Sequence, residues 1–447
     1  MRLARALSLL VLCAAPAWAE SASDALDEYI ARPQPSYGWK VRATETIGPV
    51  AVARLELTSQ VWQGIAWKHR LNLLIPKAAE GERARPEHAL LVITGSGGER
   101  QHMQVASAVA AQLGVPVAIL HDVPNQPLFR EVTPNGKGLR EDALIAYTFQ
   151  KFAETGRADW PLLLPMARAA VAAMDALGEF SAQAKPWEFG RLSKFVTCGG
   201  SKRGWTTWLS ACVDPRVVGI APIVYDNLNI PEQIALHFAT WGHPSPSIHD
   251  YTERGLIPLL RSPRGQQLLR IVDPYAYRER LTVPKMAMIG TNDTYWPLEA
   301  IHLYRGGLPG ELYCHYVPNT GHGVGPSIVQ AIVGFFDAVT GRIPSLPRAR
   351  LDVFPQRGAR IRLLSGAEQV EHVRLWASHV AGKDFTKSRW VRVEAERSED
   401  GWRAALPDPC RADEGRVAFI GELEVDASNG APFTVHTPVQ VWELGAD

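Results

Sequence analysis

Beyond its N-terminus the sequence has no long apolar run, no Cys-x-x-Cys pair, no block of like charges, no internal repeat and no low-complexity tract. Each absence excludes something. The richest apolar stretch, Trp160 to Leu177, is interrupted by Pro161, Pro165, Arg168 and Asp175, so no mature segment is expected to cross a hydrocarbon core of about 30 Å. Lys+Arg number 47 against Asp+Glu 46, a net charge of +1, without the basic excess of a nucleic-acid partner. Cysteine is scarce: after Cys13 there are only Cys198, Cys212, Cys314 and Cys410, none at zinc-site spacing with histidine. An oxidising compartment would permit disulfides, but spacing does not choose among the pairings. Cys198, in an apparent core strand, reads as a small buried apolar residue. His243 and His249 are too loosely spaced to argue for a metal. No metal and no organic cofactor is called for, and nothing specifies an oligomeric state.

What is present is a globular composition. The 447 residues are 46% hydrophobic and 21% charged, enough apolar surface for a sizeable core and enough chain for more than one domain. At the start, Arg2 and Arg5 precede an apolar run from Ala6 to Ala15, followed by Ala17-Trp18-Ala19, the charge, apolar and small-residue pattern of a cleaved secretory signal over 1–19. The run is too short for an anchor, and Leu10-Val11-Leu12 before Cys13 lacks the small residue of a lipid-modification site. The mature chain is therefore expected to be exported, either periplasmic or secreted, and near neutral once Arg2 and Arg5 are gone.

The body alternates strand and helix signals. Val52–Leu57, His69–Ile75, Ala89–Thr94, Val115–Leu120, Lys194–Cys198, Val217–Val224, Lys285–Gly290 and Leu312–Val317 run apolar or alternate, and helical periodicity fills several intervals. Such alternation predicts a mostly parallel sheet with helices on both faces. We place this α/β unit at 20–340, with insertions at about 121–190 and 226–281 forming a lid. A Pro-rich linker at 341–347 follows. From 348 to 447 the apolar period changes to two, as in Val373–Ala377, Trp390–Ala395 and Val417–Val425, which predicts an immunoglobulin-like antiparallel β-sandwich.

The strongest chemical signal is Gly199-Gly200-Ser201-Lys202-Arg203-Gly204, where a buried strand turns through glycines into a helix. Such a turn lifts its serine above the carboxyl edge of the sheet. Ser201 reads either as a nucleophile or as a helix cap. The match to Gly-x-Ser-x-Gly is incomplete, because Arg203 occupies the second glycine position and Gly204 comes one residue later. Chain order decides for catalysis: Asp293 follows one late strand and His322 follows the last, the Ser, Asp, His order of α/β hydrolases. Asp226, after the strand ending at Val224, is the alternative acid. Asp273, just before Pro274, reads as a turn residue. Gly95-Ser96-Gly97-Gly98 is the expected oxyanion loop, with the Lys202 N–H as its second donor. A phosphate cradle is excluded there because Gly-Lys-Ser/Thr is missing. Among the surrounding aromatics, Trp208 reads as core, while Trp205, Trp241, Tyr295 and Trp296 are candidates to line a substrate pocket.

Gly199 to Trp208, Asp273-Pro274-Tyr275-Ala276-Tyr277, Gly290-Thr291-Asn292-Asp293 and Val317-Pro318-Asn319-Thr320-Gly321-His322 together resemble the PhoPQ-activated pathogenicity-related protein family. The resemblance starts near Ala25-Leu26-Asp27-Glu28-Tyr29-Ile30 and covers nearly all the mature chain. It implies an exported α/β-hydrolase-like protein and leaves the reaction open. The elbow is also similar to that of glucuronoyl esterases, whose basic residue after the serine helps at the oxyanion. Lys202 stands there here, either in that role or as a solvated lysine, while Arg203 reads as held in a buried salt link. The expected function is an exported serine hydrolase acting on a small-molecule or carbohydrate-linked ester. The alternatives are an idle hydrolase fold used for binding or signalling, and a peptidase or amidase.

Overall fold

The computed structural model describes residues 25–77, 87–183, 190–354, 358–426 and 431–445. The export signal expected over 1–19 lies outside the described residues. Strands β1 (Gly38–Ile47), β2 (Val50–Trp62) and β3 (Ile65–Pro76) form an antiparallel meander. It is followed by β4 (His88–Ile93), β5 (Val117–Leu120), β6 (Lys194–Gly200), β7 (Val217–Ile223), β8 (Lys285–Gly290) and β9 (Leu312–Val317). Spatially the order runs β1-β2-β3-β5-β4-β6-β7-β8-β9, parallel from β5 onward. This is an α/β-hydrolase fold, with its reactive loops at the carboxyl edge of the parallel strands.

Side-chain alternation along these strands divides the core in two. In β4, Ala89, Leu91 and Ile93 face a cluster containing α1 (Ala25–Ala31), α3 (Glu141–Thr155), α4 (Leu163–Gln183) and α5 (Lys202–Val213), whereas Leu90 faces α2 (Glu99–Leu113) and α10 (Ile328–Val339). Period two on the strand thus becomes two apolar layers. Helix α4 is buried on nearly every side and belongs to the main core. The 121–190 stretch is therefore not only a lid, since α4 is a structural layer and α3 alone reaches the site. The second insertion folds as α6 (Ile230–Trp241), α7 (His249–Thr252), α8 (Leu256–Leu259) and α9 (Pro263–Val272).

C-terminally, β10 (Arg348–Phe354), β11 (Gly358–Ser365), β15 (Gly401–Ala404) and β14 (Glu396–Ser398) form one antiparallel sheet. They pack through Leu351, Ile361, Leu375 and Phe419 on a second set: β12 (Val370–Val380), β13 (Val391–Glu394), β16 (Gly415–Val425), β17 (Phe433–His436) and β18 (Gln440–Leu444). This second set does not stand apart. β17 pairs with β9 through His436 and Cys314, so both regions share one sheet, of fourteen strands among the described residues. Nor is 341–347 a free tether: Leu346 is 1% exposed, within the core that holds α10. The four cysteines among the described residues are free and buried, and burial pushes the Cys198 and Cys314 thiols up to about 12. No helix among the described residues is long and apolar enough to cross a membrane.

The seam can be tested at Phe433, 3% exposed and packed on Gly334 of α10, where an added Cβ would come within 2.3 Å of its ring. Phe433→Ala should cost about 3–5 kcal/mol. Calorimetry should show one cooperative transition moved to lower temperature. A hydrolase transition left in place beside a separate early one would mean that the seam carries no load.

Candidate active site

Ser201 sits between β6 and α5 with φ 55° and ψ −124°, a conformation that non-glycine residues adopt only when their surroundings enforce it. Those surroundings are identifiable. The Ser201 N–H donates to the Ile223 carbonyl at 2.8 Å, fixing the turn to the neighbouring strand. A Cβ on Gly199 would lie 2.7 Å from the Arg203 carbonyl oxygen, and one on Gly204 would lie 2.7 Å from the Tyr225 Cβ. Gly204 therefore takes the close approach expected of the second glycine, one residue late. That shift leaves room for Arg203, whose guanidinium makes a paired contact with both Glu141 oxygens, at 2.8 and 2.9 Å, and donates through Nε to the Val123 carbonyl. It is the buried salt link anticipated for this residue.

His322 bridges the other two members. Its Nε2 is 2.9 Å from Ser201 Oγ and its Nδ1 is 2.8 Å from Asp293 Oδ2. The second Asp293 oxygen, Oδ1, accepts the Tyr295 N–H at 2.8 Å. The structure thus brings together three residues far apart in sequence, in the order donor, relay and orienting carboxylate. Tyr295 stacks on the imidazole, with centroids 4.1 Å apart and planes inclined by 30°. Two loops meet to make this possible. A Cβ on Gly290 would lie 2.2 Å from the Gly321 carbonyl oxygen, so only glycine lets the His322 loop come this close to the end of β8. Asn292 N–H donates to the Thr320 carbonyl and Asn319 N–H to Thr291 Oγ1, both at 2.9 Å.

The C-terminal region clamps both loops from behind, a feature that sequence reasoning missed. Asn292 Nδ2 donates to the carbonyls of Phe385, Thr386 and Ser388, and Asn319 exchanges two hydrogen bonds with the Trp390 backbone. Those partners lie about seventy to a hundred residues away, and no local motif announces them.

The alternative acid is elsewhere. Asp226 is 3% exposed beside the Tyr304 hydroxyl, and its Oδ1 has no hydrogen-bond partner among the described residues. Burial, with the nearby Asp293 charge adding to it, pushes the Asp226 carboxyl up to about 7. Asp273 accepts the N–H groups of Asn229, Ile230 and Tyr275, which is a turn-fixing role.

Lys202 is not free to meet an acidic substrate. Its side chain is buried, with Nζ 2.9 Å from Glu141 Oε2 and 3.3 Å from Asp142 Oδ2. Burial works against the Glu141 charge, but the hydrogen bonds and charge of Arg203, aided by Lys202, hold that carboxyl well below the usual range. What Lys202 still offers is its N–H, in the first turn of α5, where no intrahelical acceptor exists. The Gly95–Gly98 loop follows β4, next to β6 in the sheet. Gly95 also lies against Arg203: an added Cβ would lie 2.6 Å from a guanidinium nitrogen. Ser96 accepts from Arg70 through its carbonyl, and Gly98 takes φ 73° to enter α2.

Ser201, Lys202 and His322 open onto a cavity also lined by Trp205, Tyr295 and Trp296. Trp241 does not reach it. Trp241 Nε1 bonds Asp384 at 3.1 Å, and its ring lies on a separate small pocket behind Trp296 and Asp293. Trp208 is fully buried core.

Residues 26–386 match the family model for PhoPQ-activated pathogenicity-related proteins. The chain belongs to that family. Autocrine proliferation repressor protein A of Dictyostelium discoideum is 31% identical over 356 residues, covering 76% of this chain and 69% of that protein. Similar solved structures include an acetyl xylan esterase from Paenibacillus sp. R4, at 14% identity and TM-score 0.47, covering 71% of this chain and 92% of that one. A glucuronoyl esterase from Solibacter usitatus, at 15% identity and TM-score 0.43, covers 72% and 92% respectively.

Asp226 gives a test with a defined sign. Its folded-state value of about 7 lies above the ordinary 3.8, so between these pH values the folded chain holds a proton that the unfolded chain releases. Stability contributed by this group is therefore lost as pH rises through that window and stays lost above it. Asp226→Asn should stabilise the protein at pH 8 by up to about 4 kcal/mol and hardly at all at pH 4. Urea titrations at the two pH values measure this; an equal effect at both would show that the carboxyl ionises normally.

Proposed function

We propose that this protein is an exported serine hydrolase of carboxylic esters, with Ser201 as nucleophile, His322 as general base and then acid, and Asp293 as the orienting carboxylate. The observation that carries the reading is the continuous hydrogen-bond relay at 2.9 and 2.8 Å from Ser201 Oγ through His322 to Asp293. His322 Nε2 takes the hydroxyl proton as Oγ attacks the ester carbonyl, and Asp293 stabilises the imidazolium that forms. The tetrahedral oxyanion is received by backbone N–H groups: Lys202 at the head of α5, and the Ser96–Gly97 segment of the loop after β4. Collapse expels the alcohol, protonated by His322. Water, activated by the same imidazole, then releases the acid from Ser201.

Ester rather than amide is the reading we favour because the site has no charged group free to steer a peptide. Lys202, Arg203, Glu141 and Asp142 satisfy one another. Export rests on the Arg2 to Ala19 pattern of the sequence.

A fluorophosphonate probe should label the purified protein and fail to label Ser201→Ala of equal thermal stability. Loss of that difference would leave a hydrolase fold used for binding. Asp293→Asn should reduce ester turnover by about 10⁴-fold by upsetting the imidazole tautomer. The clamp has its own test. Asn319 has φ 58°, which glycine adopts freely, so Asn319→Gly removes the Trp390 bonds without adding backbone strain. Turnover should fall at least about tenfold through misplacement of the His322 loop, with KM changed little. Unaltered turnover would show that the clamp is not needed for geometry.

A further inference from the structure

The cavity beside Ser201 has a volume of about 80 Å³, and its chemistry is one-sided. One wall is aromatic: Phe149, Trp205 and Tyr225, with the Trp205 and Tyr225 rings stacked at 5.2 Å. The lid helices α6 to α9 supply an aliphatic wall that includes Ile234, Leu268 and Val272. Its charged members are already engaged: Lys202 lies 3.3 Å from Asp142, and the Tyr251 hydroxyl donates to Asp142 at 3.0 Å. A sugar ring placed here would lose water from several hydroxyls and find few partners, at about 1–3 kcal/mol for each hydroxyl left unpaired. A hydrocarbon group meets no such cost and gains from every methylene buried.

A second observation extends this. Ile234, Ile257 and Leu260 also line an outer groove, of about 340 Å³, together with Pro231, Phe238 and Pro258. Phe238 is 46% exposed there. These aliphatic side chains line both the serine cavity and the groove, so apolar surface continues outward from Ser201.

Building on the serine-hydrolase reading, we propose that the substrate is an ester of an apolar chain, seated between the aromatic wall and the lid helices, and that any carbohydrate portion lies outside this cavity. The seat selects by length: each methylene buried raises kcat/KM by up to about fourfold until the cavity is full. Seating the chain also places the carbonyl over Ser201 Oγ, because the same cavity contains Ser201 and His322.

The test uses the full chain and two ester series. One varies the acyl group of p-nitrophenyl esters from acetyl to octanoyl; the other varies the alcohol of acetate esters from methyl to octyl. At least one series should rise about tenfold or more in kcat/KM by six carbons, and the series that rises says which side of the ester occupies the cavity. Ile234→Trp and Leu268→Trp, which fill the seat, should cut the long-to-short ratio toward one. Fluorophosphonate labelling of the same preparations reports a folded, competent Ser201. Flat or falling series with labelling intact overturn the apolar seat and leave the hydrolase reading standing. A rise that survives in both labelled tryptophan variants also overturns it. Absence of labelling and of turnover on every ester overturns both readings together.

Discussion

A serine held at φ 55° and ψ −124° is not in a favourable backbone well, and the surrounding structure can be understood as what keeps it there. The strain would relax if β6 and α5 could move apart. They cannot, because Gly199 and Gly204 bring the backbones of strand, helix and β7 to closest approach, and because Arg203 ties the first turn of α5 to Glu141 and to the Val123 carbonyl. Glu141 is itself anchored by Gln126, which accepts its N–H at 2.8 Å. The side chain that violates the usual small-residue pattern at the elbow is thus one of the elements that fixes it.

The same logic explains which distant residues the sequence marked as neighbours. Ser201, Asp293 and His322 were legible because each follows a strand whose apolar run marks it as buried, and strand ends are where α/β folds place chemistry. Gly290 and Gly199 stood out for their place at those ends. The rest rests on contacts that leave no local trace. β1 is paired with β2 across a bulge at Val41–Ala43 and is almost wholly exposed, so the alternation of Trp39, Val41 and Ala43 with Lys40, Arg42 and Thr44 marks no buried face. Gly95 was assigned to substrate approach, and the structure adds a second constraint that no local pattern shows, the Arg203 guanidinium beside it. Trp241 has the composition of a pocket residue, but α6 turns it toward Asp384. Glu141 and Asp142 begin an ordinary-looking helix, and their importance is visible only when Lys202 and Arg203 arrive beside them.

The change of period after residue 348 was also legible, but it describes a sheet without saying what the sheet abuts. Residues 385–390 supply backbone carbonyls and an N–H to Asn292 and Asn319, so loops carrying two of the three relay residues are held by the C-terminal region. β17 adds itself to β9 at the edge of the parallel sheet, which also covers that open edge. A sandwich joined in these two ways acts on the site as a brace, and the positions of His322 and Asp293 depend on both halves of the chain being folded.

Charge placement completes the physical picture. Two cations follow Ser201 directly, an arrangement that would raise the potential at its hydroxyl if they were unpaired. Instead the Glu141 and Asp142 carboxylates meet them within 2.8 to 3.3 Å, and the field largely cancels. On the serine-hydrolase reading, an oxyanion formed at Ser201 is then stabilised by directional N–H groups at short range, which favours the charge that appears in the transition state over any anion resting in the ground state. With Tyr295 stacked over the imidazole and the cavity wall almost wholly apolar, water has few polar footholds near the relay. On the reading proposed above, the site discriminates by hydrocarbon shape, with polarity confined to the few atoms of the Ser201, His322 and Asp293 relay.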